Sequence, residues 1–287
     1  MSRYVQSLLF DTTITRIERL AIESVIQNHQ FTDYHVYTYA RTALASQSLP
    51  MLPVPAKYCD ANVILPQTEF TPDLNGCYAA AKLEFQFRAL FTFGGLWVDN
   101  DYVLLNKLPA YSFYTYLNNS LHFGVMQLEK ESEFAARAVQ YIRQARNIAQ
   151  KYNKPVNITK ILSQLEGIMP TQYKHIPYAD LCSLDPDEAF ELLTDPLHLE
   201  NSLTYLANYG VKLYADDWLR AGCTFNTSFS KDALFEVLWT RFYGSTKEKT
   251  RLGKSASSSR RAVRTVDPAV RRSRALDKKS RLQAART

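Results

Sequence analysis

The chain has 287 residues, 46% of them apolar or aromatic and 22% charged, the balance of a folded globular protein. No apolar run approaches the roughly 18–20 residues a membrane helix needs. The four cysteines are scattered without a CxxC pair, which argues against a disulfide framework or a zinc site. The net charge of +6 divides into +11 over residues 247–287 and −5 over the rest, so a mildly acidic globule carries a strongly basic tail.

In chain order, Tyr4 to Phe10 reads as an opening buried strand, and Asp11 to Thr15 offers several N-caps. Ile14, Ile17, Leu20, Ala21 and Val25 recur at three- and four-residue spacing, which predicts a helix over 14–28. Tyr34 to Tyr39 is β-branched and aromatic, a second strand. This β-α-β opening predicts a mostly parallel sheet with crossover helices. The proline-rich region 46–76 reads as loop with short elements. Residues 82–88 alternate polar and apolar like a strand, yet Leu83, Phe87, Leu90 and Phe91 fit one helical stripe, and Glu84 and Arg88 suit an i,i+4 ion pair. A helix over 77–92 is the reading adopted. Strands at 96–98, 102–105 and 122–126 follow, then helices at 130–152, 157–166, 186–194 and 230–243, with a late strand or turn at 211–218.

The stretch that bears on chemistry is Gly94-Gly95-Leu96-Trp97-Val98-Asp99-Asn100-Asp101. Two glycines allow a tight turn or close backbone approach. If the strand persists, its period of two puts Trp97, Asp99 and Asp101 on one face. Two such carboxylates suit a hard divalent cation together with substrate phosphates; a solvated Asp-Asn-Asp turn explains the same residues.

Tyr78 to Leu105 resembles the DxD sugar-binding glycosyltransferases, which include yeast mannosyltransferases, capsule and lipopolysaccharide transferases and the glucosylating domains of clostridial toxins. Weaker likeness extends over Val5–Leu9, Glu18–Ser24 and Val36–Tyr39, and again over Trp218–Gly222. The resemblance implies an α/β, GT-A-like domain over 1–245, with a mixed, mostly parallel sheet. It further implies metal-dependent, retaining transfer from a UDP- or GDP-sugar. Asp99 and Asp101 would be the catalytic pair, holding Mn²⁺ or Mg²⁺ together with Asp217 or its neighbour Asp216. Trp97, Asn100, Gln86, Glu84, Arg88 and Lys212 are the candidate donor-binding residues.

The departures are specific. The family's helix usually carries an Asp and an Arg where this chain has Leu83 and Gln86, so the donor sugar is open. Its closing segment often carries a His and an Asn where Lys212 and Ala215 stand. Lys212 is a point charge suited to a diphosphate. The competing reading is a non-catalytic sugar- or nucleic-acid-binding protein on a decayed transferase scaffold.

Residues 246–287 lack aromatic residues and are rich in Lys, Arg, Ser and Ala, so a disordered basic tail is expected. Such an arm suits an anionic membrane or nucleic acid, leaving the acceptor open between a glycan, a glycolipid and a modified DNA base. The first residues lead into a strand without a signal-peptide core, so a cytoplasmic location is expected, peripheral on a membrane or in a host cell if the protein is viral.

Overall fold

The computed structural model describes residues 4–9, 14–29, 31, 33–40, 52, 55–117, 120–181, 184, 188–204, 206, 209–224 and 226–243. All but Tyr243 belong to one compact unit, Met1–Phe242. The expected caps at Asp11–Thr13 and the basic tail at 246–287 lie outside the described residues. Among those residues no helix is long and apolar enough to cross a membrane.

The opening unit forms as its periodicity dictates. Strand β1 (Tyr4–Leu9) runs parallel to β2 (Asp33–Thr38), with helix α1 (Arg16–Asn28) as the crossover. A capping box sets the start of α1: Thr15 accepts from the Glu18 amide, and the Glu18 carboxylate accepts from Thr15 N–H at 2.8 Å. Within the stretch expected to be loop, Ala56–Asp60 forms β3, parallel to β2 at the edge of the sheet. An edge strand is covered on fewer sides, so Ala-Lys-Tyr-Cys-Asp needs no continuous apolar run and gave little signal.

The ambiguous segment is helix α2 (Ala79–Phe93), which buries Phe85, Phe87, Ala89 and Leu90. Gly94 (φ 65°) and Gly95 (φ 90°) then turn the chain into β4 (Gly95–Val98), every residue of which is buried. A Cβ on Gly95 would lie 2.2 Å from the Tyr4 carbonyl oxygen, so glycine is what allows β4 to approach β1. Strand β4 pairs in parallel with β1 and antiparallel with β7 (Ser120–Leu128).

Two strands absent from the sequence reading, β6 (Phe113–Leu117) and β8 (Lys174–Pro177), complete a seven-stranded sheet of order β3-β2-β1-β4-β7-β6-β8. This is a mixed, mostly parallel α/β sheet with flanking helices. Side chains alternate between two cores. Trp97 packs with Phe85, Phe87 and residues of α3 (Glu133–Lys151), while Leu96 and Val98 pack with Val5, Ile22 and Val25.

A second, two-stranded sheet carries the remaining geometry. Strand β5 (Tyr102–Leu104) pairs antiparallel with β9 (Gly210–Lys212), placing Tyr102 opposite Lys212. Helix α1 anchors β5 at both main-chain polar groups of Leu104: its N–H donates to Ser24 Oγ, and its carbonyl accepts from Asn28 Nδ2, each at 2.8 Å.

Gly95→Ala should cost at least about 3 kcal/mol in urea unfolding, whereas Gly76→Ala should cost only about 1 kcal/mol. Gly76 has a similar positive φ but nothing within 4 Å of an added Cβ, so the difference isolates the β1–β4 approach. Equal losses would refute the close-approach account.

Candidate active site at the end of β4

In strand order β1 lies between β2 and β4: the chain runs outward from β1 through β2 to β3 and then crosses to β4 on the other side of β1. Open α/β sheets bind ligands beyond the carboxyl ends of their strands at such a switch point. The acidic turn lies there, directly after β4, and Asn100 Nδ2 donates to the Leu8 carbonyl near the end of β1 at 2.7 Å.

The turn is held by main-chain bonds to distant segments. Asp99 N–H donates to the Gly124 carbonyl, and Leu213 N–H donates to the Asp101 carbonyl, both at 2.7 Å. Tyr102 N–H closes the turn on the Asp99 carbonyl at 3.1 Å. Strand β4 ends at Val98, yet the period of two survives for one more residue: Trp97 Nε1–H donates to Asp99 Oδ1 at 2.8 Å. Trp97 is fully buried, so it touches the site through its indole N–H and is no pocket wall.

Two lysines meet the carboxylates. Lys82, from the first turn of α2, places Nζ 2.9 Å from Asp99 Oδ2, and Lys212, at the end of β9, places Nζ 3.8 Å from Asp101 Oδ2. Burial pushes the Asp99 carboxyl up, but Lys82 and then Lys212 outweigh it and hold it below the usual range. Asp101 goes the other way. Burial raises it, and the negative charges of Asp99 and Asp216 add to that against the pull of Lys212. Lys82 stays above the ordinary lysine value because Asp99, Asp101 and Asp216 outweigh its burial.

Beside this group, the Lys212 ammonium lies over the rings of Tyr102 and Tyr214, 5.3 and 5.5 Å from their centroids. Tyr214 adopts the left-handed conformation (φ 48°), and its hydroxyl donates to the Leu184 carbonyl at 3.0 Å. Short helix α4 (Ala215–Arg220) starts there and carries Asp216 and Asp217. Of the two aspartates the sequence reading placed near a metal, Asp217 pairs with Arg220, and Asp216 is the one whose charge acts on Asp101 and Lys82. His122, whose ring meets the Tyr102 hydroxyl at 3.3 Å, is pushed down to about 4 by burial and the nearby Lys212, so it is neutral at physiological pH.

Three other candidates sit elsewhere. Gln86, 2% exposed, donates to the Phe123 carbonyl at 2.7 Å. Glu84 is buried between Arg88 and Arg146, and Arg88 also meets Glu69 at 3.5 Å. This network ties α2 to α3 and the 66–72 turn, so both groups are committed away from the acidic turn. Glu84 lines a cleft of about 370 Å³ with Thr71, Asp73, Arg143 and Asn147, but none of the acidic-turn residues reaches it.

The donor set at the turn fits a hard divalent ion. Asp99 and Asp101 share the turn, the charge of the exposed Asp216 acts on Asp101, and the buried Asn100 Oδ1 lacks a hydrogen-bond partner. Asp99 has one oxygen on Trp97 and the other on Lys82, which leaves Asp101 and Asp216 as the carboxylates better disposed toward an ion. A second grouping, Glu191, Asp195 and His198, is explained without one: His198 pairs with Glu191 at 3.1 Å, and Asp195 caps the Leu197 amide.

Lys82 escaped the sequence reading, which left Asp216 and Asp217 as alternatives near the metal. Lys82 sits in a segment legible as an amphipathic helix, where a lone lysine reads as solvated, and Asp216 differs from its neighbour only in helix phase.

No family model and no curated protein matches the chain. Among solved structures it is similar to the PaToxG glycosyltransferase, over 85% of each chain at 11% identity, with a TM-score of 0.41. It is also similar to the glycosyltransferase GlyE of Streptococcus pneumoniae TIGR4, at 11% identity over 90% of this chain, with TM-scores of 0.44 and, for the apo form, 0.45. This chain spans 64% of GlyE.

Asp101→Asn should raise the melting temperature at pH 7 in EDTA. A carboxyl whose folded pKa is raised imposes its penalty as pH rises through that value, and imposes none below the ordinary 3.8. The advantage of the variant should therefore shrink as pH falls through the usual carboxylate range. A variant less stable than wild type at pH 7 would contradict the assigned repulsion.

Proposed function

We propose that this chain is a glycosyltransferase that takes a sugar from a UDP- or GDP-sugar. The observation carrying the proposal is the pairing of Asp99 with Lys82 and of Asp101 with Lys212 at the β1/β4 switch point, within the electrostatic reach of Asp216. Cleaving a sugar–phosphate bond builds negative charge on the departing diphosphate, and fixed cations aimed at that charge lower the barrier.

In this reading Lys212, steadied over two tyrosine rings, meets the diphosphate as a point charge. Asp101 and Asp216 would hold the Mn²⁺ or Mg²⁺, which supplies Lewis-acid compensation of the leaving group when bound. Asn100 is anchored to β1 through its amide nitrogen, leaving its oxygen to accept from the donor or from the ion's water shell. The aromatic side chains of Tyr178 and Tyr214, joined through their hydroxyls at 2.9 Å, brace this wall. Retention of configuration follows from the family resemblance alone, and the basic tail leaves the acceptor open between a glycan, a glycolipid and a modified DNA base. The 1–245 domain with a separate basic tail completes the proposal.

A panel of UDP- and GDP-sugars with Mn²⁺ or Mg²⁺, read as release of the nucleoside diphosphate, tests it. At least one donor should be turned over, and Asp101→Ala should lower kcat at least about 100-fold. Turnover of no donor would overturn the transferase reading, and unchanged turnover in the variant would overturn the role of Asp101.

A further inference from the structure

Helix α3 buries Phe134, Ala135, Ala138, Ile142 and Ala149, and at 3.6 residues per turn Arg137, Gln144, Ile148 and Lys151 share its outer side. The charges of residues 1–246 sum to −5, yet residues 133–154 carry Arg137, Arg143, Arg146, Lys151 and Lys154 against the single acid Glu133, a local +4. Two large apolar side chains lie among these cations. Ile148 is 51% exposed, and Tyr152, at the C-cap, is 60% exposed.

Part of that charge is already committed. Arg137 pairs with Glu133 at 2.5 Å, Arg143 with Glu69 at 3.4 Å, and Arg146 with the buried Glu84. Neither Lys151 nor Lys154 pairs with a carboxylate among the described residues; the Lys151 ammonium lies 5.4 Å from the centre of the Tyr152 ring. The end of the helix brings these two lysines together. Asn153 turns left-handed (φ 49°), its N–H donates to the Gln150 carbonyl at 3.2 Å, and Lys154 N–H donates to the Ala149 carbonyl at 2.9 Å, the two bonds of a Schellman cap. Lys154 therefore folds back on the last turn of α3, where it lines the cleft of about 370 Å³ with Arg143, Asn147 and Gln150.

The helix dipole alone favours lysines at a C-terminus, but it does not call for an exposed aliphatic and an exposed aromatic side chain one turn apart beside them. A nucleic-acid backbone would satisfy the lysines and give Ile148 nothing to enter. A bilayer interface suits all four groups. An aliphatic chain enters the acyl boundary, a tyrosine ring sits at headgroup level, and lysine stems lie along the surface with their ammonium groups on lipid phosphates.

We propose that the C-terminal end of α3 docks on an anionic lipid bilayer, with Ile148 and Tyr152 entering the interface and Lys151 and Lys154 meeting the headgroups. This surface belongs to the folded unit and is separate from the basic tail and from the transferase reading.

Sedimentation of the full-length protein with vesicles of phosphatidylserine and phosphatidylcholine tests it. The tail is present in every variant, so differences between variants report on α3. Lys151→Gln combined with Lys154→Gln should weaken binding at least about tenfold, and Ile148→Asn at least about threefold. Tyr152→Trp should bind at least as tightly as wild type. Brominated lipids should quench its fluorescence beyond the wild-type level, because Trp97 and Trp218 are fully buried. Each substituted position is exposed, so every variant should melt like wild type.

Failure of wild type to sediment would overturn the proposal. So would lysine and Ile148 variants that bind like wild type, or a Tyr152→Trp variant quenched no more than wild type, since the tail would then be the membrane contact. Duplex DNA in place of vesicles separates the other polyanion. If the double lysine variant weakens DNA binding as much as vesicle binding, and Ile148→Asn weakens neither, the face is a nucleic-acid contact and the lipid assignment is wrong.

Discussion

Two carboxylates held together in a partly buried turn, with the charge of Asp216 nearby, repel one another and lose water, and the rest of the site is arranged around that cost. Two ammonium groups offset it, one from each side. Lys82 comes from the helix before β4, and Lys212 from a strand far down the chain. The offset is uneven: Asp99 lies below the ordinary carboxylate range and Asp101 above it. Two carboxyls pushed in opposite directions by their surroundings are a pattern common at active sites, and it supports the proposed role of the turn.

The scaffold holds this arrangement by making the turn a junction of backbones. Asp99 is tied to β7, Asn100 to β1 and Asp101 to the residue after β9. The smaller sheet, braced on α1, fixes the register that puts Lys212 beside Asp101. Local backbone strain accompanies it. The left-handed Tyr214 costs on the order of 1 kcal/mol or more, and its ring and hydroxyl contacts hold it where Asp216 faces the site. Gly94 and Gly95 do comparable work on the other flank, where a side chain would collide with the backbone of Lys130 or Tyr4.

Much of the architecture was legible locally. The α1 stripe, its cap at Thr15 and the buried β1 and β2 follow from periodicity and capping chemistry. The helix at 79–93 was legible once its stripe outweighed the alternation of 82–88. The strands that escaped, β3, β6 and β8, lie toward the edges or carry mixed side chains, so half-burial blurs their pattern. The stretch 211–218 was ambiguous because it holds both a strand and a helix start.

By itself, then, the sequence determined that an α/β chain turns through two glycines into a buried strand ending on Asp-Asn-Asp, because these are consequences of period, steric freedom and turn chemistry within a few residues. Tertiary structure decided which groups those aspartates meet. Lys82 rather than Glu84 or Arg88 faces the turn because of the rotation of α2 against the sheet. Lys212 arrives through strand pairing, and Asp216 rather than Asp217 through helix phase after a left-handed residue. Electrostatic partnership depends on distance in space, which register and helix rotation set and local sequence does not encode.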